Sequence, residues 1–328
     1  MAYEFENGTI RGWESKILER IDWERLLTYP SLRDTWNELV RLKIGYHDVN
    51  DNERIDSIDK LYTDNFLYLY KEIAELLLNE SLKMSLLIEI DFTNLKLFNR
   101  HILKESDDYS EILDGGWFGR EKLLYSFKNN DWATYPDFFD KISINFKEES
   151  NKLSEQSFDL LLDNKLFELR LDAANKNNSP FLINFWKLMI DFINCRQFFN
   201  LLKTNQKNPN YFIHGGNIET NDWALLDEHS LQTFIQKTTF WEYLSVSDEM
   251  RQAFENDLYT IKWQYQEEHY LLKYFDDAVA YAGSFEPIFS YWYRRLTELK
   301  NVNRLLYGKT YNLSNNIIRS QLSNSYIF

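Results

Sequence analysis

Glycine and proline are both scarce in this chain, whose 328 residues include 10 glycines and 5 prolines. Sheet-rich folds need many tight turns, and these two residue types supply much of the turn chemistry, so their scarcity favours long helices. Cysteine is scarcer still, with Cys195 alone. A single cysteine excludes an intrachain disulfide and favours a reducing, cytoplasmic compartment.

Positive charge is also under-represented, with 37 lysines and arginines against 51 acids and a formal net charge of −14. Such a surface repels phosphate backbones and anionic lipid headgroups, which argues against general nucleic-acid binding. The most apolar long stretch, 181–193, contains Asn184, Lys187 and Asp191, so we predict no membrane span. The acidic N-terminus does not have the pattern of a signal peptide. If the protein works at a membrane, another protein has to hold it there.

Aromatic residues are abundant, with 24 Phe, 21 Tyr and 10 Trp, and a chain of this length is sufficient for two or three domain-sized units with a core. Four apolar residues spaced three or four apart predict one stripe on a first helix: Ile10, Trp13, Ile17 and Ile21. Asp22 is expected to cap the next helix, and Ser31 with Asp34 resembles a capping box. No convincing period-2 strand is present, so we predict an all-α fold.

An internal repeat is the most informative feature of the sequence. The run Asp91-Phe92-Thr93-Asn94 recurs 100 residues later as Asp191-Phe192-Ile193-Asn194, and Gly115-Gly116 recurs as Gly215-Gly216 at the same offset. A third copy of the acid–asparagine pair, Glu298 and Asn301, follows at an offset of 107. That second offset also relates Pro180 to Pro287, and each proline is expected to begin a helix.

The repeat has a physical interpretation. An acid and an asparagine three residues apart share one helix face, and the asparagine amide can tie its helix to a backbone group elsewhere. The paired glycines are expected to supply a tight turn with positive φ before the next helix. We therefore predict three pseudo-repeated helical bundles, in residues 1–130, 131–235 and 236–328, each of a typical domain size.

Several stretches carry a resemblance to a known family: residues 7–18, with Asn, then Ile-Arg, then Glu-Ser-Lys-Ile-Leu; residues 22–39; the Gly215-Gly216 turn; and residues 286–288 with 298–309. Together they resemble the C-type stalk proteins (d-type in eukaryotes) of the vacuolar and archaeal-type rotary ATPases. The matches touch the start, the middle and the end of the chain. The high aromatic content and the scarcity of alanine and glycine depart from that family.

The resemblance implies an architecture and a role. The family folds as three helical bundles around a pseudo-three-fold axis, forming a funnel. Its socket receives the lower end of the central shaft, which the D and F proteins form, and its opposite face sits on the membrane rotor ring, which is built of c (also called K) proteins. The family protein rotates with both, on the cytoplasmic face of the membrane. It is non-catalytic and binds no nucleotide, metal or other cofactor.

One local reversal of charge suggests a partner surface. Residues 290–328 hold six basic residues but a single acid, Glu298. We interpret four of these basic residues, here called the basic quartet, as candidates for gripping an acidic partner: Arg294, Arg295, Lys300 and Arg304. The competing interpretation is a solvated helix face whose basic residues favour the negative end of the helix dipole.

Two other functions stay open. A magnesium-dependent, class I terpene synthase-like enzyme would use Asp107-Asp108-Tyr109-Ser110-Glu111 and Asn256-Asp257 to chelate Mg²⁺-diphosphate, although Gln264 stands where that enzyme needs an acid. An unrelated helical repeat scaffold is the other. Gly308-Lys309-Thr310 matches the end of a phosphate-binding loop, but Asn303 stands where that motif needs a glycine. Cys195 aligns with apolar residues of the other copies and is predicted to lie in the core.

Overall fold

The computed structural model describes residues 3–42, 58–104, 109–139, 142, 153–204, 208–225 and 259–323. Within these ranges the regular secondary structure consists of α-helices and short 3₁₀ segments, and no strand occurs, which confirms the predicted all-α fold. The helices are α1 Glu4–Glu14, α2 Arg20–Thr28, α3 Leu32–Leu42, α4 Ile58–Leu76, α5 Glu80–Leu103, α6 Arg120–Asn129, α7 Glu155–Lys176, α8 Pro180–Thr204, α9 Thr220–Leu225, α10 Tyr259–Tyr274, α11 Glu286–Thr310 and α12 Asn315–Gln321.

The chain divides into two compact units, which we call the terminal unit (residues 1–77 and 226–328) and the middle unit (residues 78–225). The terminal unit thus joins the two ends of the chain. This division differs from the boundaries at 130/131 and 235/236, and the three-bundle organisation stays a prediction.

Helix α11 organises the terminal unit. It packs against α1, α3, α4, α10 and α12. Nearly every side chain along it is buried, including Phe289, Trp292 and Leu299, and even its acid Glu298. A helix covered on all sides belongs to the core, and its polar side chains need partners there. One apolar cluster joins α11 residues such as Val302 and Leu305 to others on α2, α3 and α12.

The middle unit is built on three long helices, α5, α7 and α8. Helix α5 packs against α6 and α7, α7 packs against α8, and α8 packs against α9. Its core is rich in aromatic rings, with Phe92, Phe98, Phe139 and Phe158 almost fully buried. Fully burying one such ring stabilises a fold by about 1.5–3 kcal/mol, so this cluster accounts for much of the unit's stability.

Most predicted helix starts are confirmed, with two corrections near the N-terminus. Helix α8 begins at Pro180, Pro287 is the second residue of α11, and Ser31 caps α3 by bonding the amide of Asp34 at 3.2 Å. Asp22, by contrast, is not the cap of α2 but its third residue. Glu19 caps α2, and the Asp22 carboxylate accepts from the Glu19 amide at 3.1 Å.

The prediction that the apolar residues from Ile10 to Ile21 form one stripe on a single helix is wrong. Helix α1 ends at Glu14 and α2 begins only at Arg20, so the run is broken by a turn. Ile10 is buried, whereas Ile21 is 73% exposed. The physical reason is a hydrogen bond: the amide of Leu18 leaves the helical pattern to reach Glu298 of α11.

Candidate functional site

The first acid–asparagine pair ties α5 to the turn that precedes α6. Asp91 is fully buried, and its Oδ2 accepts from the backbone amides of Trp117 at 2.6 Å and Phe118 at 3.1 Å. Asn94 makes a two-way bond with Leu113: its Oδ1 accepts from the amide at 2.8 Å, and its Nδ2 donates to the carbonyl at 3.0 Å. We call this arrangement, an acid and an asparagine on one helix turn binding the backbone of a loop, a clasp.

The second pair makes the same clasp on α8. Asp191 accepts from the amides of Asn217 at 2.9 Å and Ile218 at 3.2 Å. Asn194 exchanges both bonds with Ile213, at 2.7 and 2.8 Å. Each backbone partner lies 100 residues after its counterpart in the first clasp. The sequence repeat is therefore also a repeat of hydrogen bonds.

The paired glycines let the backbone approach the carboxyl groups. A Cβ on Gly116 would lie 2.3 Å from Asp91 Oδ1, and one on Gly216 would lie 2.1 Å from Asp191 Oδ1. Positive φ, as predicted, occurs at Gly115 (97°), Gly116 (89°) and Gly215 (92°). Gly216 does not have a positive φ, so glycine is required there only because a Cβ would collide with the Asp191 carboxyl group.

The third clasp, on α11, takes its backbone partners from both ends of the chain. Glu298 Oε1 accepts from the amide of Leu18 at 2.6 Å, and Asn301 Oδ1 accepts from the amide of Ser323 at 3.0 Å. Leu18 precedes α2 just as Phe118 precedes α6 and Ile218 precedes α9. These three residues are spaced 100 apart. The first residues of the chain thus complete the clasp of its last long helix.

Sequence reasoning missed this role of Leu18, although a signal exists. After Leu18, Phe118 and Ile218, a large apolar residue follows at the same distance along the chain in each copy. These residues are Trp23, Leu123 and Trp223, and all three are buried. Lys16 stands where the other copies have Gly116 and Gly216. Glutamate is one methylene longer than aspartate, so Glu298 reaches its turn without the close backbone approach that requires glycine.

The three clasp acids differ in their surrounding charges. Glu298 forms an ion pair with Arg295, and both side chains are buried. Among the described residues Asp91 makes no ion pair with a lysine or arginine, and burial raises its pKa to about 7 against the opposing effect of the backbone amides. Burial likewise raises the pKa of Asp191 to about 6, opposed by the amides of Asn217 and Ile218 and by Lys187.

The basic quartet is engaged within the chain. Arg294 pairs with Asp276 at 2.6 Å, and Arg295 pairs with Glu298. Lys300 and Arg304 both approach Glu268 of α10, at 3.8 and 2.7 Å. The charge of the quartet is thus balanced by acids that lie largely outside the 290–328 segment. That the quartet contacts a partner stays a prediction, and these ion pairs weigh against it for Arg295.

Glu268 is the centre of a buried polar network between α10, α11 and the segment that follows α12. Arg304 donates to Glu268, to Asn301 Oδ1 at 3.0 Å and to Ser323 Oγ at 3.2 Å. Burial raises the pKa of Glu268, but the positive charges of Arg304 and Lys300 outweigh burial and hold this pKa below the ordinary value. Arg304 and the third clasp therefore belong to one network, and Arg304 has a structural role.

The remaining sequence candidates receive structural explanations or fall outside the described residues. Asp107, Asp108, Asn256 and Asp257, the proposed diphosphate ligands, lie outside them. Lys309 lies on α11, and its Nζ donates to the carbonyls of Leu27 at 2.8 Å and Tyr29 at 2.7 Å and to Asn315 Oδ1 at 3.1 Å. Those bonds use all three ammonium hydrogens to hold the end of α2.

Gly308 and Cys195 are packing residues. A Cβ on Gly308 would lie 2.6 Å from an Ile318 methylene, so this glycine allows α11 and α12 to approach closely. Cys195 is fully buried, as predicted.

A cleft of about 450 Å³ opens on the middle unit between α7, α8 and the segment around Tyr211. Glu155, Asp159 and Asp163 form one wall. Two basic residues of α5 balance this wall, since Lys96 pairs with Asp163 and Arg100 bonds both Glu155 and Asp159. The described part of the chain holds no group of three potential metal-ligating His, Cys, Asp or Glu residues. Nor does any helix described there have the length and apolar character to cross a membrane.

The model of a family described as ATP synthase (C/AC39) subunit matches residues 7–321. The matched region includes the long helices α5, α8 and α11, the basic quartet and most of the third clasp, and it omits only the ends of the chain. No curated protein matches the chain.

Proposed function

The chain belongs to the ATP synthase (C/AC39) subunit family, and from that premise we propose that it is the non-catalytic central-stalk component of a V/A-type rotary ATPase. In this role it is a socket that couples the D–F shaft to the c/K rotor ring in the membrane. It works on the cytoplasmic face of the membrane. The observation that carries the proposal is the family match, which spans almost the whole chain.

The clasps support a mechanical role. A coupling protein has to transmit torque, so its long helices must keep their register under load. Each clasp ties a loop to a long helix through buried hydrogen bonds, which are stronger in a low-dielectric interior than in water. Close-packed helical interiors also have low compressibility. A body held in this way passes force along its helices rather than absorbing it.

We also propose three similar bundles around a pseudo-three-fold axis, one for each clasp. The first would be built on α5, the second on α8 and the third on α11. The hydrogen bond between Leu18 and Glu298 adds the N-terminal helix α2 to the third bundle, because the turn before α2 plays the part that the turns before α6 and α9 play in the other two.

Partner contact by the basic quartet is proposed in a narrower form. Arg294 pairs with Asp276, whose side chain is 64% exposed, and Lys300 is separated from Glu268 by 3.8 Å. The Arg294–Asp276 pair is exposed, and such a pair contributes about 0–1 kcal/mol, so an acidic surface on the D–F shaft or on the ring would displace it readily. Arg295, Lys300 and Arg304 face buried acids, so a change of partner would leave Glu298 or Glu268 with less of its balancing charge.

The experiment removes the chain from cells that carry the complex and measures ATP hydrolysis and ion transport by isolated membranes. We expect hydrolysis to persist while ATP-driven transport is lost, and both the shaft and the ring to be recovered apart. Adding the purified chain should restore coupling. Undiminished coupling in membranes that lack the chain would overturn the proposal.

A matched pair of variants tests the partner surface. The reversal Arg294→Glu is expected to weaken co-purification with the D–F shaft or the ring, more strongly as salt falls. Arg11→Glu is the control, because Arg11 forms an exposed pair with Glu14 on α1. If both variants bind like the wild type, Arg294 is no partner contact.

A further inference from the structure

We propose that the two clasps of the middle unit bind protons: Asp91 and Asp191 take up protons in the folded chain near neutral pH, so that acidification tightens the middle unit and leaves the Glu298 clasp of the terminal unit unchanged. The inference does not rest on the proposed function. It rests on the bonds, the burial and the charges at three equivalent acids.

The hydrogen bonds of Asp91 suit a neutral carboxylic acid. Oδ2 accepts both backbone bonds, whereas the buried Oδ1 has no hydrogen-bond partner among the described residues and faces Gly116. An ionised carboxylate would leave a half-charged oxygen buried without compensation, which is costly. A proton on Oδ1 removes that charge and keeps Oδ2 as the acceptor for both amides, so the clasp stays closed.

The groups around Asp91 do not compensate its charge. From the segment after α6, Tyr135 interacts with Asp91 electrostatically, and its hydroxyl oxygen accepts from Ser126 Oγ at 3.3 Å. The turn contributes the backbone amides of residues 117–119 alone. Burial, opposed by these amides, raises the pKa of Asp91 to about 7.

Asp191 is better compensated and should bind its proton at lower pH. Both of its oxygens accept backbone bonds, Asn217 Nδ2 donates a further one at 2.9 Å, and Lys187 lies on the same helix. Burial still dominates and raises its pKa to about 6. Glu298 differs from both, because Arg295 balances its charge directly within hydrogen-bond reach.

The sign of the effect follows from linkage. A carboxyl whose pKa is raised on folding binds more protons in the folded state, so stability increases as pH falls from the folded value toward the unfolded value of 3.8. This contribution is lost as pH rises through about 7 for Asp91 and about 6 for Asp191. For each fully coupled group the ratio of folded to unfolded middle unit changes by about tenfold per pH unit within that window.

The test is a titration of the full-length chain labelled with ¹³C at the aspartate carboxyl carbons, followed by NMR from pH 4 to 8.5. We expect one resonance that disappears in Asp91→Asn to titrate near neutral pH, and one that disappears in Asp191→Asn to titrate about one pH unit lower. Asp222→Asn, which alters an exposed residue of α9, should remove neither resonance. If no aspartate carboxyl titrates above pH 5.5, the proposal is overturned.

Hydrogen exchange provides a second readout that does not depend on the variants folding. Peptides covering 109–130 and 208–225 in the wild type should become better protected on acidification from pH 8 to 6, after correction for intrinsic exchange rates. Peptides covering 14–28 should not change. Equal changes in all three regions would contradict a specific role for Asp91 and Asp191.

Discussion

The clasps of the middle unit and the clasp of the terminal unit hold equivalent turns by different chemistry. Asp91 and Asp191 are short acids that approach a glycine backbone and have no arginine beside them among the described residues, whereas Glu298 is longer, meets a turn without glycine and is paired with Arg295. The required position of the carboxyl oxygen is therefore separable from the way its charge is balanced. The distance between helix and turn can be closed by a longer side chain or by a closer backbone. The charge of the buried carboxyl group can be removed by a proton or balanced by a cation.

Removing the cation from the terminal clasp is the strongest way to break this comparison. Arg295→Met should lower the free energy of unfolding by about 3–5 kcal/mol, because Glu298 is left buried with its charge unpaired. The measurement is urea unfolding followed by circular dichroism at pH 8.

Adding Glu298→Gln to Arg295→Met should restore part of the loss, since the buried charge is then absent and the amide oxygen can still accept from Leu18. A double variant less stable than Arg295→Met alone would show that the pair acts through something other than charge.

Filling the space beside the middle clasps is the next most damaging change. Gly116→Ala should destabilise the chain by about 2–4 kcal/mol, because the added Cβ collides with the Asp91 carboxyl and the backbone is held at positive φ. Gly216→Ala lacks the φ penalty and should cost less. Gly12→Ala is the control, since its Cβ would meet nothing within 4 Å in helix α1. It should stabilise by about 0.5–1 kcal/mol, and a loss there would discredit the comparison.

The asparagines sharpen the comparison because they are common to all three clasps. Asn94→Ala and Asn194→Ala each leave one backbone amide and one carbonyl unsatisfied, and each should cost about 1–3 kcal/mol. Their costs should agree closely, because the two sets of bonds have equivalent geometry. Chemical denaturation of both variants checks this, and a difference above about 1.5 kcal/mol would mean that the clasps are not equivalent.

The smallest effect on stability is expected at Arg294, the residue of the basic quartet whose ion pair is largely exposed. Arg294→Ala should change stability by less than about 1 kcal/mol, because its pair with Asp276 is largely solvated. Thermal unfolding at low and high salt checks this result. A loss comparable with that of Arg295→Met would show that Arg294 is a structural residue and not available to a partner.

The sequence was informative where the repeat is local. Asp91, Asn94, Gly115 and Gly116 act within one stretch of chain, so a fixed offset found both copies, and the positive φ predicted at the paired glycines occurs at three of the four. The third clasp is not local. Its donor Leu18 shares only apolar character with Phe118 and Ile218, and hydrophobic residues are too common for that to mark a backbone amide as a partner.

The acids that pair with the basic quartet could not be identified from the sequence, for a similar reason. A count over 290–328 finds six basic residues and one acid, but Glu268 and Asp276 lie earlier in the chain and are brought to α11 by the fold. Which acid meets which base depends on tertiary packing, and neither composition nor helical periodicity encodes it. The all-α architecture followed from periodicity and composition, and the buried position of Cys195 followed from its alignment with apolar residues of the other copies, because burial of an apolar face requires no knowledge of the neighbour.

The hydrogen bond from Leu18 to Glu298 has a consequence for synthesis on the ribosome. The partners of Asp91 are 26 and 27 residues away and emerge almost together, whereas Leu18 and Glu298 are separated by 280 residues. Helix α2, which Leu18 precedes, must therefore wait without this hydrogen bond until α11 has been translated. A nascent product truncated before Glu298 cannot close this bond, so the bond reports that helix α11 has been made.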